Sequence, residues 1–303
     1  FSYIRMPSLG ILKYNILPYV RYRLGQAPFL LLGSLVKLLP ASSQVTIRSW
    51  MNIVKKMDYP RHDIFLNIDS DIEYRGRLHS CKKEPDTVEW VETFLESGDV
   101  LYDIGANIGA YSMVASKFHG GGVTVYAFEP SFPNYRQLCR NLALNRCDDT
   151  VTPFQIALSD ETTIRTFNLR TLVSGGAVNA LGDAIDHRGY SFDPAWVQPV
   201  LSYRTDQFIQ QFELLPANHI KIDVDGTEYS ILKGMDLILR SGSLKSMLIE
   251  INPGRGQDQE IITYLESRGL VLESKCGLNH LFVRSNWRPR QSSLVEHSVS
   301  ASP

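Results

Sequence analysis

The residues Asp103-Ile104-Gly105-Ala106-Asn107-Ile108-Gly109 close a short apolar run with an acid, two glycines and an amide, and then open a helical pattern. In an open α/β sheet, ligands bind beyond the carboxyl ends of the strands. Glycines there let backbone approach the ligand, and the following helix presents free N–H groups. The spacing departs from the dinucleotide G-x-G-x-x-G pattern, because Asn107 stands where that pattern has a glycine and Gly109 where it has a variable residue. Asp103, just ahead of the loop, would repel a pyrophosphate and attract an ammonium, such as the one on the amino-acid end of S-adenosylmethionine. Twenty residues beyond Gly109, Glu129 ends the next apolar run, where a carboxylate can accept hydrogen bonds from both hydroxyls of a ribose. Taken singly, the glycine loop is a turn and Glu129 a solvated strand end. Together, Asp103, Gly105, Asn107, Gly109 and Glu129 read as a nucleoside-cofactor site.

A second set of acids follows the apolar run 220–224. Asp223 lies at its end, Asp225 and Glu228 follow in a loop, and Glu250 sits near the end of the run 247–251. Carboxylates this close repel one another, which raises a pKa and suits a general base. The same set can also bind a divalent cation, and Glu228 at a helix start favours the helix dipole. Asp223 is the candidate catalytic base, and no metal site is assigned. His219 and His280 read as structural histidines. Ser159 and Asp160 follow the third strand, and Ser-Asp suits a turn.

The elements that must position these groups alternate regularly from Pro85 onward. Pro85 suits a first helical turn, with Val88, Val91 and Leu95 on one face until Gly98. Strands are predicted over 100–104, 123–128, 151–157, 220–224 and 247–251, with a further excursion over 163–170. Helices are predicted over 109–118, after Pro130, and over 229–239 and 257–267. Two last strands, 270–274 and 280–284, are close enough to form an antiparallel hairpin. Strands alternating with helices of this length mean an α/β fold, a Rossmann-like, mostly parallel sheet covered on both faces. Ahead of it, 63–68 and 72–78 read as two strands of a short hairpin turning at Asp69-Ser70-Asp71. The domain plan is therefore an appendage over 1–84, the α/β domain over 85–285 and a flexible polar tail over 286–303.

The loop Asp103–Gly109, the strand end Ala127-Phe128-Glu129-Pro130, and the block Ile220-Lys221-Ile222-Asp223-Val224-Asp225-Gly226-Thr227-Glu228 followed by Ile231-Leu232-Lys233-Gly234 resemble the FkbM family of S-adenosylmethionine-dependent methyltransferases. The third block usually carries Glu where this chain has Asp225. The resemblance covers about residues 85–284 and implies a class I methyltransferase sheet of seven strands with a reversed last strand. It also implies adenine contacts at Ser159 and Asp160, and O-methylation of a sugar, glycolipid or polyketide hydroxyl. Transfer from a sulfonium is an in-line displacement that needs alignment, and an aliphatic hydroxyl needs a base. The competing readings are a non-catalytic cofactor-binding domain and a dinucleotide-dependent oxidoreductase, the latter disfavoured by the loop spacing and Asp103.

The bulk composition is that of an ordinary globular chain, 303 residues with 44% hydrophobic and 21% charged. Its 31 basic and 32 acidic residues leave no global field for nucleic acid, so none is expected as a partner. Cys81, Cys139, Cys147 and Cys276 are scattered without a C-x-x-C pair, which fits a reducing, cytoplasmic setting. No apolar stretch reaches the roughly 18 residues of a membrane span, and Lys13, Pro18, Arg21 and Arg23 break any signal-peptide pattern. The apolar groups of residues 10–40 have three destinations: packing on the α/β domain, a homodimer interface, or peripheral contact with a membrane. Their nearly continuous run favours burial in protein over an interfacial helix.

Overall fold

The computed structural model describes residues 31–289. The chain forms two compact units, Phe1–Asn52 and Ile53–Pro303. In the first, residues 31–37 and Ala41–Trp50 are helical, and the second helix buries no side chain. Most of the segment 10–40 lies outside the described residues, as does the tail from 290. Leu31, Leu32, Leu35 and Leu38 within it are exposed.

The second unit is built on a sheet of seven strands: β1 (Val100–Ile104), β2 (Thr124–Phe128), β3 (Val151–Phe154), β4 (His219–Ile222), β5 (Ser246–Glu250), β6 (Leu270–Cys276) and β7 (Asn279–Arg284). Their order across the sheet is β6-β7-β5-β4-β1-β2-β3. β1 to β5 run parallel, and β7 is antiparallel to both β5 and β6. This is the class I methyltransferase sheet with its reversed last strand. The chain leaves β1 in one direction for β2 and β3, then returns to β4 on its other side. That reversal opens a crevice above the ends of β1 and β4.

Alternation along the strands divides the core in two. Leu101, Val125 and Ala127 face a layer that includes Val91, Met113, Val114 and Leu138. Val100, Tyr102, Ile104 and Phe128 face the opposite layer with Phe208, Leu232 and Leu265. Met57, Tyr59, Ile64 and Leu66 belong to the first layer. Residues 53–84 are therefore part of the α/β unit, and the expected boundary at 84 moves to Asn52/Ile53.

Three local expectations change. Phe65–Asn67 does pair in a hairpin, but with Val54–Lys56. The expected second strand is instead the helix Asp71–Arg75 followed by a short 3-10 turn, Arg77–His79. Ser70 caps that helix by accepting from Glu73 N at 3.0 Å, while Glu73 accepts from Asp69 N at 2.6 Å. This reciprocal capping replaces the hairpin turn. The expected strand 151–157 is broken. Its end, Ala157–Ser159, joins a separate sheet with Trp196–Arg204, Thr163–Leu169 and Ala180–Leu181. The expected helix 229–239 is two short ones, Glu228–Gly234 and Asp236–Arg240. Gly234 packs against Ser159 so closely that a Cβ would stand 1.9 Å from its carbonyl oxygen.

At the opposite end of the sheet from the crevice, a buried polar chain joins the first residues of β4 and β5. Trp90 Nε1 donates to Ser246 Oγ at 2.9 Å, Ser246 Oγ meets His219 Nδ1 at 2.7 Å, and His219 Nε2 meets Asp99 Oδ2 at 3.0 Å. Lys245 Nζ adds a bond of 2.6 Å to Asp99 Oδ1. The order Trp N–H, Ser O–H, imidazole and carboxylate satisfies every group with a neutral ring. His219 is thus structural, and burial pushes its pKa down. His280 is also buried, with Nδ1 at 2.8 Å from Leu278 O.

Burial pushes the Asp99 carboxyl up, but bonds from His219 and Lys245 outweigh it and hold it down at about 2. A carboxyl held below its unfolded value stabilises the fold above that value, and this contribution is lost as pH falls towards the folded one. Asp99→Asn should therefore cost about 2 kcal/mol at neutral pH and flatten the loss of stability between roughly pH 4 and pH 2. Urea unfolding of both proteins across that range measures it. Equal pH dependence in the two would contradict the assignment.

Candidate active site

A cleft of about 1030 Å³, open mouth included, lies above the ends of β1, β2, β4 and β5. Its lining includes Gly105, Asn107, Glu129 and Asp223 of the expected site, together with Asp225 and Glu250. Ile156, Leu158, Phe167 and Ile231 supply apolar walls.

The loop after β1 is held by Glu129. Asn107 N donates to Glu129 Oε2 at 2.8 Å, and Ser131 N donates to Oε1 at 2.9 Å. Asn107 itself takes a positive φ of 51°. Gly105 has φ 84°, and a Cβ there would stand 2.0 Å from the Asp223 carbonyl oxygen, so the β1 and β4 ends approach at glycine alone. Gly109 does not line the cleft; it precedes the helix Ala110–Phe118 with φ 86°. Glu129 is buried, and burial pushes its carboxyl up to about 7 against the two backbone donors. The Asn134 side chain also acts on this carboxylate, which still has acceptor capacity for a ribose hydroxyl.

Asp103 is not at the cleft wall. It is buried under the loop, with Oδ2 accepting from Ser112 Oγ at 2.5 Å and Oδ1 lying 3.8 Å from Lys221 Nζ. Lys221 Nζ also donates to Asp223 Oδ2 at 2.9 Å. Burial alone would lower the Lys221 ammonium, but Asp223 and Asp103 outweigh it and hold it above its ordinary value. Burial likewise lifts Asp223, and Lys221 more than reverses this, keeping Asp223 ionised below the usual carboxylate range. Asp103 is raised by burial against the pull of Lys221 and Ser112.

The other acids behave differently. Burial and the charge of Asp223 push Asp225 up to about 6 and Glu250 up to about 7. Asp225 Oδ2 accepts from Asn179 N at 2.9 Å. Glu228, pushed up to about 7 by burial, accepts from Gly226 N at 2.9 Å ahead of its own helix. Among the described residues, no group of three or more His, Cys, Asp or Glu side chains is placed to hold a metal ion.

Ser159 and Asp160 are absent from the cleft wall. Ser159 Oγ donates to Asp160 Oδ1 at 3.0 Å, and Asp160 pairs with Lys233 at 2.8 Å. The apolar Ile156, Ala157 and Leu158 just before them face the cleft instead. Sequence reasoning also missed Arg77 and Lys83, which line the cleft from the segment ahead of β1. No local pattern marks them.

The Methyltransferase FkbM domain model matches residues 103–272. The chain belongs to the FkbM methyltransferase family. Its cofactor is S-adenosylmethionine, and the cleft has groups to suit it. Among the described residues the buried Asn107 Oδ1 has no hydrogen-bond partner, Glu129 has acceptor capacity to spare, and the wall at Ile156–Leu158 is apolar. The hexuronic acid methyltransferase AglP of Haloferax volcanii is 25% identical over 183 residues, which is 60% of this chain and 68% of that protein. The 31-O-demethyl-FK506 methyltransferase FkbM of Streptomyces tacrolimicus is 40% identical over 84 residues, 27% of this chain and 31% of that protein. The crystal structure of methyltransferase FkbM from Methylobacillus flagellatus KT aligns at 18% identity and a TM-score of 0.43, over 62% of this chain and 44% of that one.

Glu129→Ala should cut S-adenosylhomocysteine affinity at least about tenfold, since bonds to a charged acceptor are worth roughly 1.5–3 kcal/mol each. Ribose hydroxyls need the ionised carboxylate, so binding should release a proton from Glu129 and strengthen as pH rises through about 7. Calorimetry in buffers of different ionisation enthalpy measures both. Affinity that is unmoved by pH and by the substitution would sink the ribose assignment.

Proposed function

We propose that this chain transfers a methyl group from S-adenosylmethionine to a hydroxyl of a sugar, glycolipid or polyketide-like acceptor. The observation that carries the reading is the division of the cleft. Its β1–β2 side offers the loop and Glu129 to a nucleoside, and its β4–β5 side offers a carboxyl, Glu250, raised to about 7. The bound donor supplies an electrophilic methyl on a sulfonium. The protein's part is to align an acceptor oxygen with it and to take up the acceptor's proton. The names of two relatives, a hexuronic acid methyltransferase and a 31-O-demethyl-FK506 methyltransferase, support an oxygen acceptor.

The base role, expected at Asp223, fits Glu250 better. Asp223 is already committed to Lys221 at 2.9 Å and held at low basicity, so it gains little by accepting a proton. Glu250 is poised near neutrality, where a general base is most effective. Asp223 serves better as a fixed negative charge beside a cationic donor.

Glu250→Gln should lower turnover by ~10²–10⁴ while leaving S-adenosylhomocysteine affinity within a few-fold. Asp223→Asn should weaken binding of the cationic donor more than that of its uncharged thioether product. Product release is followed as S-adenosylhomocysteine formation with candidate glycans and lipid extracts, and the acceptor by mass gain of one methyl. Full turnover in Glu250→Gln together with its loss in Asp223→Asn at unchanged donor affinity would restore Asp223 as the base.

A further inference from the structure

The cleft-lining charges among the described residues are four acids, Glu129, Asp223, Asp225 and Glu250, and two cations, Arg77 and Lys83. Both cations come from the short helical segment between Asp71 and Lys83, which precedes β1 in the chain.

Arg77 is fixed before any ligand arrives. Its Nε and Nη2 both donate to the Gly175 carbonyl oxygen, at 3.0 and 2.9 Å. Gly175 has φ 81°, and a Cβ on it would meet Glu73 Cγ at 2.9 Å and Arg77 Cγ at 3.4 Å. The glycine therefore lets the loop close onto the arginine. That loop is tied to the donor side as well. Asn134 Oδ1 accepts from Gly175 N at 2.9 Å, and Gly176 O accepts from Asn107 Nδ2 at 2.9 Å and from Asn134 Nδ2 at 3.0 Å.

No acid comes within ion-pair distance of Arg77 among the described residues, although its charge acts on Glu129 and Asp223 across the cleft and that of Lys83 acts on Asp223. Lys83 Nζ pairs with its neighbour Glu84 at 3.0 Å, and its side chain is 65% exposed. Such a solvated pair is weak and easily exchanged. An immobilised guanidinium with no carboxylate in direct contact, and a loosely held ammonium in the same cleft, are preorganised for a planar anion.

We propose that Arg77 and Lys83 form a carboxylate-binding subsite at the edge of the cleft, filled by the carboxylate of the donor's amino-acid end or by that of an acidic acceptor. This rests on reading the cleft as the donor site. The subsite explains why a cleft built to favour a cationic donor keeps two positive side chains at its rim.

The test is calorimetry on the full chain with S-adenosylhomocysteine, with 5′-methylthioadenosine, which keeps the adenosyl thioether but lacks the amino-acid end, and with glucuronate added to the S-adenosylhomocysteine complex. The variants are Arg77→Gln, which can still donate to Gly175, and Lys83→Gln, which does not touch that loop. Loss of roughly tenfold in S-adenosylhomocysteine affinity with 5′-methylthioadenosine unchanged is the result expected for the donor's carboxylate. Unchanged affinity for both nucleosides with loss of glucuronate binding supports the same subsite filled by an acceptor. Equal losses for both nucleosides, or no change with any of the three probes, overturns the proposal. A wild-type chain that binds neither nucleoside removes the donor-site reading itself and the subsite with it.

Discussion

Asp103 at the end of β1 and Asp223 just beyond β4 would repel each other across the crevice between two neighbouring parallel strands, and the ammonium of Lys221 lies within 3.8 and 2.9 Å of them. All three groups are removed from bulk solvent to different degrees, with the Lys221 side chain only 4% exposed. Removing one member of such a set leaves an uncompensated buried charge, at a cost of about 3–5 kcal/mol. The set also fixes chemistry. It keeps Asp223 ionised, and the Asp223 charge adds to burial in raising Asp225 and Glu250. Burial and one lysine on a central strand together separate the acids into a permanent anion and proton acceptors poised near neutrality.

The donor side obeys a different constraint. Glu129 is occupied by backbone donors from Asn107 and Ser131 before a ribose could use it. Its carboxylate both shapes the loop and faces the cleft, so the loop conformation and the nucleoside contacts share one side chain. Burial raises its pKa because two backbone N–H groups do not fully replace water around a carboxylate.

Much of this was legible in the residues. The apolar runs ending at Asp103, Glu129, Asp223 and Glu250 are strands, and their acids gather at one edge because parallel strands end on the same side. What was not legible has local causes. Ser70 and Glu73 form a capping pair, and this signal was outweighed by the β-like run around Ile72 and Tyr74. The strand Trp196–Arg204 alternates between exposed and buried residues, yet Pro199 interrupts its pattern. Ser159 and Asp160 sit beside the expected place, but their side chains bond each other and Lys233 while the preceding apolar residues face the cleft. Arg77 carries no periodicity at all. Its role depends on a loop nearly a hundred residues later in the chain.

That loop is gripped largely through its backbone: Ser70 bonds the Ser174 carbonyl oxygen, Arg77 that of Gly175, and Asn107 and Asn134 that of Gly176. The grip reads backbone rather than side chains, so the shape of the loop depends on the glycine at 175 and on the four gripping residues. The match to the family model begins at residue 103, after two of those four grips. A fragment cut to the matched residues would keep the signature sequence yet lose Ser70, Arg77, Lys83 and the closing strand β7. The smallest self-sufficient piece of this protein is accordingly longer at both ends than the stretch by which its kinship is recognised.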